Sequence, residues 1–143
     1  MQEQFTVLIA EDDLLIADMI EDRLVMDGFA VCGIATNIAE GIALATAHLP
    51  DIAIVDVRLA DGDLGTDLAS ELKRQRRIAI LYATGNVDVV LQDAIGEACI
   101  TKPYGLDLLS QSLLFLGNRA RNHTLEQPLP EGLIMLGQQS AQA

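Results

Sequence analysis

Basic residues are scarce in this 143-residue chain, where nine lysines and arginines face 21 acids for a formal net charge of −12. So few cations cannot neutralise a phosphate backbone, which argues against direct nucleic-acid binding. Cations and basic protein surfaces are the electrostatically suited partners. Cysteine is scarcer still. Cys32 and Cys99 lie far apart and show no metal-ligand spacing, so both are expected as reduced core thiols of a cytoplasmic protein. No apolar run reaches the roughly 18 residues that suggest a membrane span, and no charged-then-apolar leader precedes the first strand-like stretch. No glycine-rich phosphate loop follows that stretch either. His48 and His123 have no second ligand at useful spacing and read as a helix-end residue and a solvated tail residue.

Half of the residues are apolar, and the length suits one compact domain able to bury roughly 70% of its unfolded surface. Short apolar runs alternate with longer amphipathic ones. Phe5 to Ala10 reads as a strand buried on both faces. Asp13 is a plausible N-cap for a helix using Leu15, Met19, Ile20 and Leu24, ending at Asp27-Gly28. Phe29 to Ala35 is a second strand, followed by a helix from Asn37 to His48-Leu49. Asp51 to Asp56 is a third strand, then a loop through Asp61-Gly62 and a helix from Asp67 to Gln75. Arg77 to Ala83, a short helix from Val87 to Ile95, Glu97 to Thr101, and a last helix from Leu106 to Arg119 complete the alternation. Five strand–helix units imply an α/β fold, a parallel sheet with helices on both faces and right-handed crossovers. Ligands of such sheets sit at the carboxyl ends of the strands.

The chemistry-bearing residues fall at those ends. Glu11 and Asp12 follow the first strand, Asp56 closes the third, Thr84 closes the fourth and Lys102 follows the fifth. Three carboxylates at one sheet edge repel, and a hard divalent cation with oxygen ligands relieves them beside the fixed charge of Lys102. One nucleophilic carboxylate, a metal position, an ammonium and a hydroxyl are the parts that phosphoryl transfer needs. Asp13 is fully explained by helix capping and is assigned no metal role. The basic run Lys73-Arg74-Gln75-Arg76-Arg77 suits a solvated helix C-terminus.

Four segments carry a specific resemblance: Val7-Leu8-Ile9-Ala10-Glu11-Asp12-Asp13, Ile54-Val55-Asp56-Val57-Arg58-Leu59, Ala83-Thr84-Gly85 and Thr101-Lys102-Pro103. Over about residues 4 to 120 the chain resembles a response-regulator receiver domain. The resemblance implies a five-stranded parallel sheet of order 2-1-3-4-5. It implies Asp56 as phosphoacceptor, taking its group from a phosphohistidine of a histidine kinase or histidine phosphotransferase. It also implies Mg²⁺ (or Mn²⁺) held by Asp12, Asp56, the backbone carbonyl of Arg58 and, through water, Glu11. Lys102 would pair with the phosphoryl oxygens, the Thr84 hydroxyl would turn towards them, Gly85 would leave them room, and Lys102-Pro103 would be cis.

Three departures stand out. Cys99 occupies a position that in the family usually carries an aromatic residue coupled to the threonine, which leaves Tyr82 and Tyr104 as the aromatics at hand. Ala60 stands where the family often has proline, with Gly65 one residue late. Thr84 and Lys102 are 18 positions apart, a short interval that calls for a curtailed fourth helix. Tyr82-Ala83-Thr84-Gly85 resembles stand-alone receivers with a Phe-Ala-Thr-Gly-type motif. Residues 121–143 are read as a tail without an output domain, with Leu133 to Leu136 apolar enough to dock. Leu108 and Phe115 lie off the core stripe of the last helix (Leu106, Leu109, Leu113, Leu116), which suggests either a wide core contact with Leu133 to Leu136 folded back over it or a homodimer or partner face there. The expected function is a signalling protein, not an enzyme, that acts on a downstream protein target. A receiver-fold adaptor working without phosphorylation is the alternative, and the intact set of five site residues argues against it.

Overall fold

Strands buried on both faces sort their side chains alternately to two layers, and that alternation organises this chain. The structure is a computed structural model that describes residues 4–93, 95–121 and 127–137. The elements are β1 (Thr6–Ala10), α1 (Leu14–Met26), β2 (Ala30–Ala35), α2 (Ile38–His48), β3 (Ile52–Asp56) and α3 (Gly65–Gln75). They continue with β4 (Ala79–Thr84), α4 (Val87–Asp93), β5 (Ala98–Thr101), α5 (Leu106–Ala120) and β6 (Ile134–Met135). A 3-10 turn, Ala60–Gly62, interrupts the β3–α3 loop. Sheet order is β2-β1-β3-β4-β5-β6, with the first five strands parallel.

Val7, Ile9, Ile52, Ile54, Leu81 and Ile100 point to one face, where α1 and α5 cover them with Ile20, Leu24, Leu109 and Leu113. Leu8, Val55, Ile80, Tyr82 and Cys99 point to the other, beneath α2, α3 and Val90 of α4. The chain adopts the α/β sheet expected from the patterning, with the flavodoxin-like order of the first five strands that the resemblance implies. The Asp13 side chain caps α1 by accepting from the backbone N–H groups of Leu15 and Ile16, and Asn37 caps α2 through Glu40 N–H. Helix α4 has only seven residues, as the short Thr84–Lys102 interval requires. Among the described residues no helix is long and apolar enough to cross a membrane.

Three findings add to or correct the expectations. The sheet has a sixth strand, because β6 pairs antiparallel with β5 (Ala98 with Met135, Cys99 with Ile134). The tail thus covers an edge that would otherwise present unpaired backbone groups. Helix α1 buries Ala17, Ile20 and Leu24, whereas Leu15 and Met19 are 73% and 53% exposed. A narrower stripe suffices on the flat sheet, and the residues beside it are left to solvent. Lastly, the off-stripe face of α5 is not bare. Leu133 is buried in the same cluster into which Leu108 and Phe115 are half-sunk, and Gly132 lies against Leu108. The chain's own tail folds back over part of this face, as the core-contact reading has it. Both cysteines are free; four strand spacings separate β2 from β5, far beyond disulfide reach. His48 closes α2 as expected, while His123 and residues 138–143 lie outside the described residues.

Candidate functional site

Every site residue named from the sequence sits at the carboxyl edge of the sheet, put there by strand register. Glu11 follows β1, its N–H donating to Ala35 O at 2.9 Å. Asp56 ends β3 opposite Ala83, and Thr84 ends β4 opposite Thr101. The Lys102 N–H extends that ladder by donating to Thr84 O at 2.8 Å, and the Lys102-Pro103 peptide is cis. Four parallel strands thereby deliver the Glu11–Asp12 pair, the Asp56 carboxylate, one hydroxyl and one ammonium to a single rim.

The side chains converge. Lys102 Nζ donates to Asp56 Oδ2 at 2.8 Å and lies 4.0 Å from Glu11 Oε1. Glu11, Asp12 and Asp56 each bring a carboxylate oxygen within 4.8 Å of the others. Glu11 is buried and Asp12 exposed, so one acid faces protein and the other faces solvent. Burial pushes the Glu11 carboxyl up from 4.5 to about 7, against an N–H donated by Asp13; the nearby Asp56 charge adds to the rise and Lys102 opposes it. A carboxyl held that high beside two others is what a cation would relieve, so the donor set fits a hard divalent ion. Tyr104 is pushed up to about 12 by burial, then by the charges of Glu11 and Asp56.

A cavity of about 690 Å³ opens over Asp56, lined by Asp12, Asp56, Arg58, Thr84, Val89 and Lys102 among others. The Arg58 side chain is exposed, and the backbone N–H of Arg58 donates to Asp56 Oδ1 at 3.3 Å. Thr84 is brought to the rim but its hydroxyl is turned to its own loop, accepting Asn86 N–H at 3.0 Å and donating to Asn86 O at 3.2 Å. Beyond Gly85 the space is open.

Gly65 is the residue whose importance sequence reading understated. A Cβ there would stand 2.0 Å from Asp56 O, and Gly65 N–H donates to Val57 O at 2.7 Å. Only glycine lets the start of α3 pass so close behind Asp56. Its apparent displacement by one position is absorbed by the loop, where Asp61 (φ 64°) and Gly62 (φ 76°) take left-handed conformations. Asp63 then accepts Ile38 N–H at 2.9 Å and ties the loop to the start of α2.

Comparison with known proteins fits this geometry. The response regulator receiver domain family matches residues 7–114. The chain belongs to that family. It is 35% identical over 122 residues to the transcriptional regulatory protein PdtaR of Mycobacterium tuberculosis, covering 82% of this chain and 59% of PdtaR. It is 31% identical to the chemotaxis protein CheY of Bacillus subtilis, covering 75% of this chain and 92% of CheY. The response regulator PhyR from Brucella abortus superposes with a TM-score of 0.70 at 30% identity, over 85% of this receiver and 53% of PhyR. A CheY-like receiver from Methanospirillum hungatei gives 0.75 at 25% identity, over 83% of this chain and 98% of its own. The receiver thus spans little more than half of PdtaR or PhyR and nearly all of the two CheY-type proteins.

Proposed function

We propose that Asp56 accepts a phosphoryl group from the phosphohistidine of a histidine kinase or histidine phosphotransferase, and that the chain then signals to a protein target. The observation that carries this reading is the 2.8 Å contact of Lys102 Nζ with Asp56 Oδ2 beside the Glu11, Asp12 and Asp56 carboxylates. In the transfer an Asp56 oxygen bonds to phosphorus as the phosphorus–nitrogen bond to the donor imidazole breaks. The imidazole leaves and takes up a proton, and the product is an acyl phosphate. Lys102 offsets charge on the phosphoryl oxygens, and Thr84, whose hydroxyl has only loop partners to give up, turns to them. Mg²⁺ or Mn²⁺, held by Glu11, Asp12, Asp56 and the Arg58 carbonyl, would supply further positive charge to the same oxygens. The protein is a cytoplasmic signalling component, and its part in catalysis is confined to its own phosphorylation and dephosphorylation.

The donor's approach is supported by the exposed side of α1. Ile16 and Met19 join Pro103, Tyr104 and Leu106 in an apolar groove of about 440 Å³ whose wall includes Lys102. Leu15, 73% exposed, stands one turn before Met19 on the same face of α1. A helix bearing the phosphohistidine can bury its apolar face there with the imidazole at Asp56. The test is incubation with acetyl phosphate and Mg²⁺ followed by intact-mass measurement. One phosphoryl increment is expected for the wild type and none for Asp56→Asn; an equal gain in the variant would falsify the assignment.

A further inference from the structure

The other end of the sheet, where the strands begin, carries a second cavity. It holds about 360 Å³ between the carboxyl ends of α3 and α5, on a floor of Ile78, Ala79 and Leu116, all three buried. Its walls include two anchored ion pairs. Glu97 accepts from Lys73 Nζ at 2.6 Å and from the Ile80 N–H at 2.8 Å, and Lys73 also donates to Ile78 O at 2.8 Å. Asp51 accepts from the Thr6 N–H at 2.8 Å and from Arg121 at 3.2 Å, while the Arg121 guanidinium lies 4.0 Å from the centroid of the Phe5 ring. Both carboxylates that line the cavity are thus committed to a cation and to strand backbone.

Two cations are left over. Arg77 and Arg119 line the same cavity, both are exposed, and among the described residues neither side chain makes an ion pair or a hydrogen bond. Acids outnumber bases 21 to nine in this chain, and the neighbouring Lys73, Arg74 and Arg121 all have carboxylate partners. Cations gather at helix carboxyl ends because the helix dipole is negative there, and those three residues already supply that complement. The dipole does not account for Arg77, which stands beyond the cap of α3 at Arg76. Two guanidiniums without acids, beside an apolar floor, suit an anion that arrives with an apolar body.

We propose that this cavity binds a small organic anion, a phosphate or carboxylate carried on an apolar ring or chain. Arg77 and Arg119 hold the anionic group, each planar guanidinium offering paired N–H donors that match two of its oxygens. The apolar body lies on Ile78, Ala79 and Leu116, out of water. The volume falls within the range of small-molecule sites, which combine an apolar lining with a few placed polar groups in this way. None of Glu11, Asp12, Asp56, Thr84 and Lys102 lines the cavity, so the site stands or falls apart from the phosphoacceptor reading.

Amide chemical shifts of the ¹⁵N-labelled chain, in Mg²⁺-free buffer of constant ionic strength, test this with phenyl phosphate, benzoate, inorganic phosphate and benzyl alcohol. Phenyl phosphate or benzoate should shift amides of residues 77–79 and 116–121 saturably, with half-saturation on the order of 1 mM for so few non-hydrogen atoms. Preference between the two assigns the site to phosphate monoesters or to carboxylates. Inorganic phosphate and benzyl alcohol, each lacking one half of the ligand, should bind at least about tenfold more weakly. Arg77→Ala together with Arg119→Ala should weaken the preferred anion by at least about tenfold, and both residues are exposed, so the fold is kept. Arg74→Ala, which takes a charge from the same end of the chain but not from the cavity, should bind as the wild type does. Shifts that grow without saturating would overturn the site, as would inorganic phosphate binding as tightly as phenyl phosphate and benzoate. Saturable binding undiminished in the double variant, or weakened as much by Arg74→Ala, would overturn it equally.

Discussion

Glu11 sits almost wholly out of water at the end of β1, with Asp56 beside it and Lys102 Nζ 4.0 Å away. Raised from 4.5 to about 7, it binds more protons in the folded chain than in the unfolded one between those values. Stability from this group is therefore full below about 4.5 and declines as pH rises towards 7, the reverse of a salt-bridged carboxylate. In metal-free buffer, the urea stability of wild type relative to Glu11→Gln should fall between pH 5 and 7, by up to about 1.4 kcal/mol per pH unit. A difference that stays flat, or grows with pH, would refute it. The identity of each site residue was legible because all of them stand where an apolar strand stops. Their protonation and rotamers were not. Glu11 and Asp12 are adjacent and chemically alike, and only the turn after β1 sends one inward and the other to solvent. Gly65 escaped for a similar reason: its role is set by a close approach to Asp56 O across nine positions, which no local pattern encodes.

Elements whose pattern is set by burial on both sides, β1, β3 and β4, were readable almost to the residue, and so were the caps Asp13 and Asn37. Helix α1 was readable in extent but not in facing, because an apolar residue costs the same letter whether it meets a core or a partner. The tail was hardest. Leu133 to Leu136 is a docking segment by composition, yet its destination depends on how far a chain turned by Gly132 (φ 101°) reaches, and that is tertiary information. Strand β6 contributes only two residues, but it closes the β5 edge, and Leu133 fills a gap against α5. Burying a leucine stabilises by roughly 1.5–3 kcal/mol. Truncation after Pro128 should lower urea stability by about 2 kcal/mol on that basis, and should open the Leu108–Phe115 face and the β5 edge to a second copy. Light scattering would then show concentration-dependent dimers in the truncated protein. An unchanged urea midpoint together with a monomer at every concentration would show that the tail covers nothing of consequence.

Across the whole molecule, charge is polarised along the strand direction. Of nine basic residues, six fall between 73 and 77 or between 119 and 121, at the ends of α3 and α5 remote from Asp56. The rim around Asp56 keeps Lys102 and Arg58 among Glu11, Asp12, Asp56, Asp61 and Asp63. With a net charge of −12 over the chain, any salt relieves self-repulsion, so stabilisation by Mg²⁺ alone proves nothing about a site. A site formed only on folding adds a mass-action gain that screening cannot imitate. At pH 8, above the raised Glu11 value, millimolar MgCl₂ should therefore raise the melting temperature well beyond NaCl of matched ionic strength. Asp12→Ala removes one of the three converging carboxylates without disturbing the core, since Asp12 is exposed. In that variant the MgCl₂ and NaCl curves should coincide. At pH 6 the wild-type gain should shrink, because Mg²⁺ must then displace a proton from Glu11. Equal shifts by the two salts in the wild type, or a Mg²⁺ shift that survives Asp12→Ala, would mean that the acidic rim is a diffuse field and not a metal site.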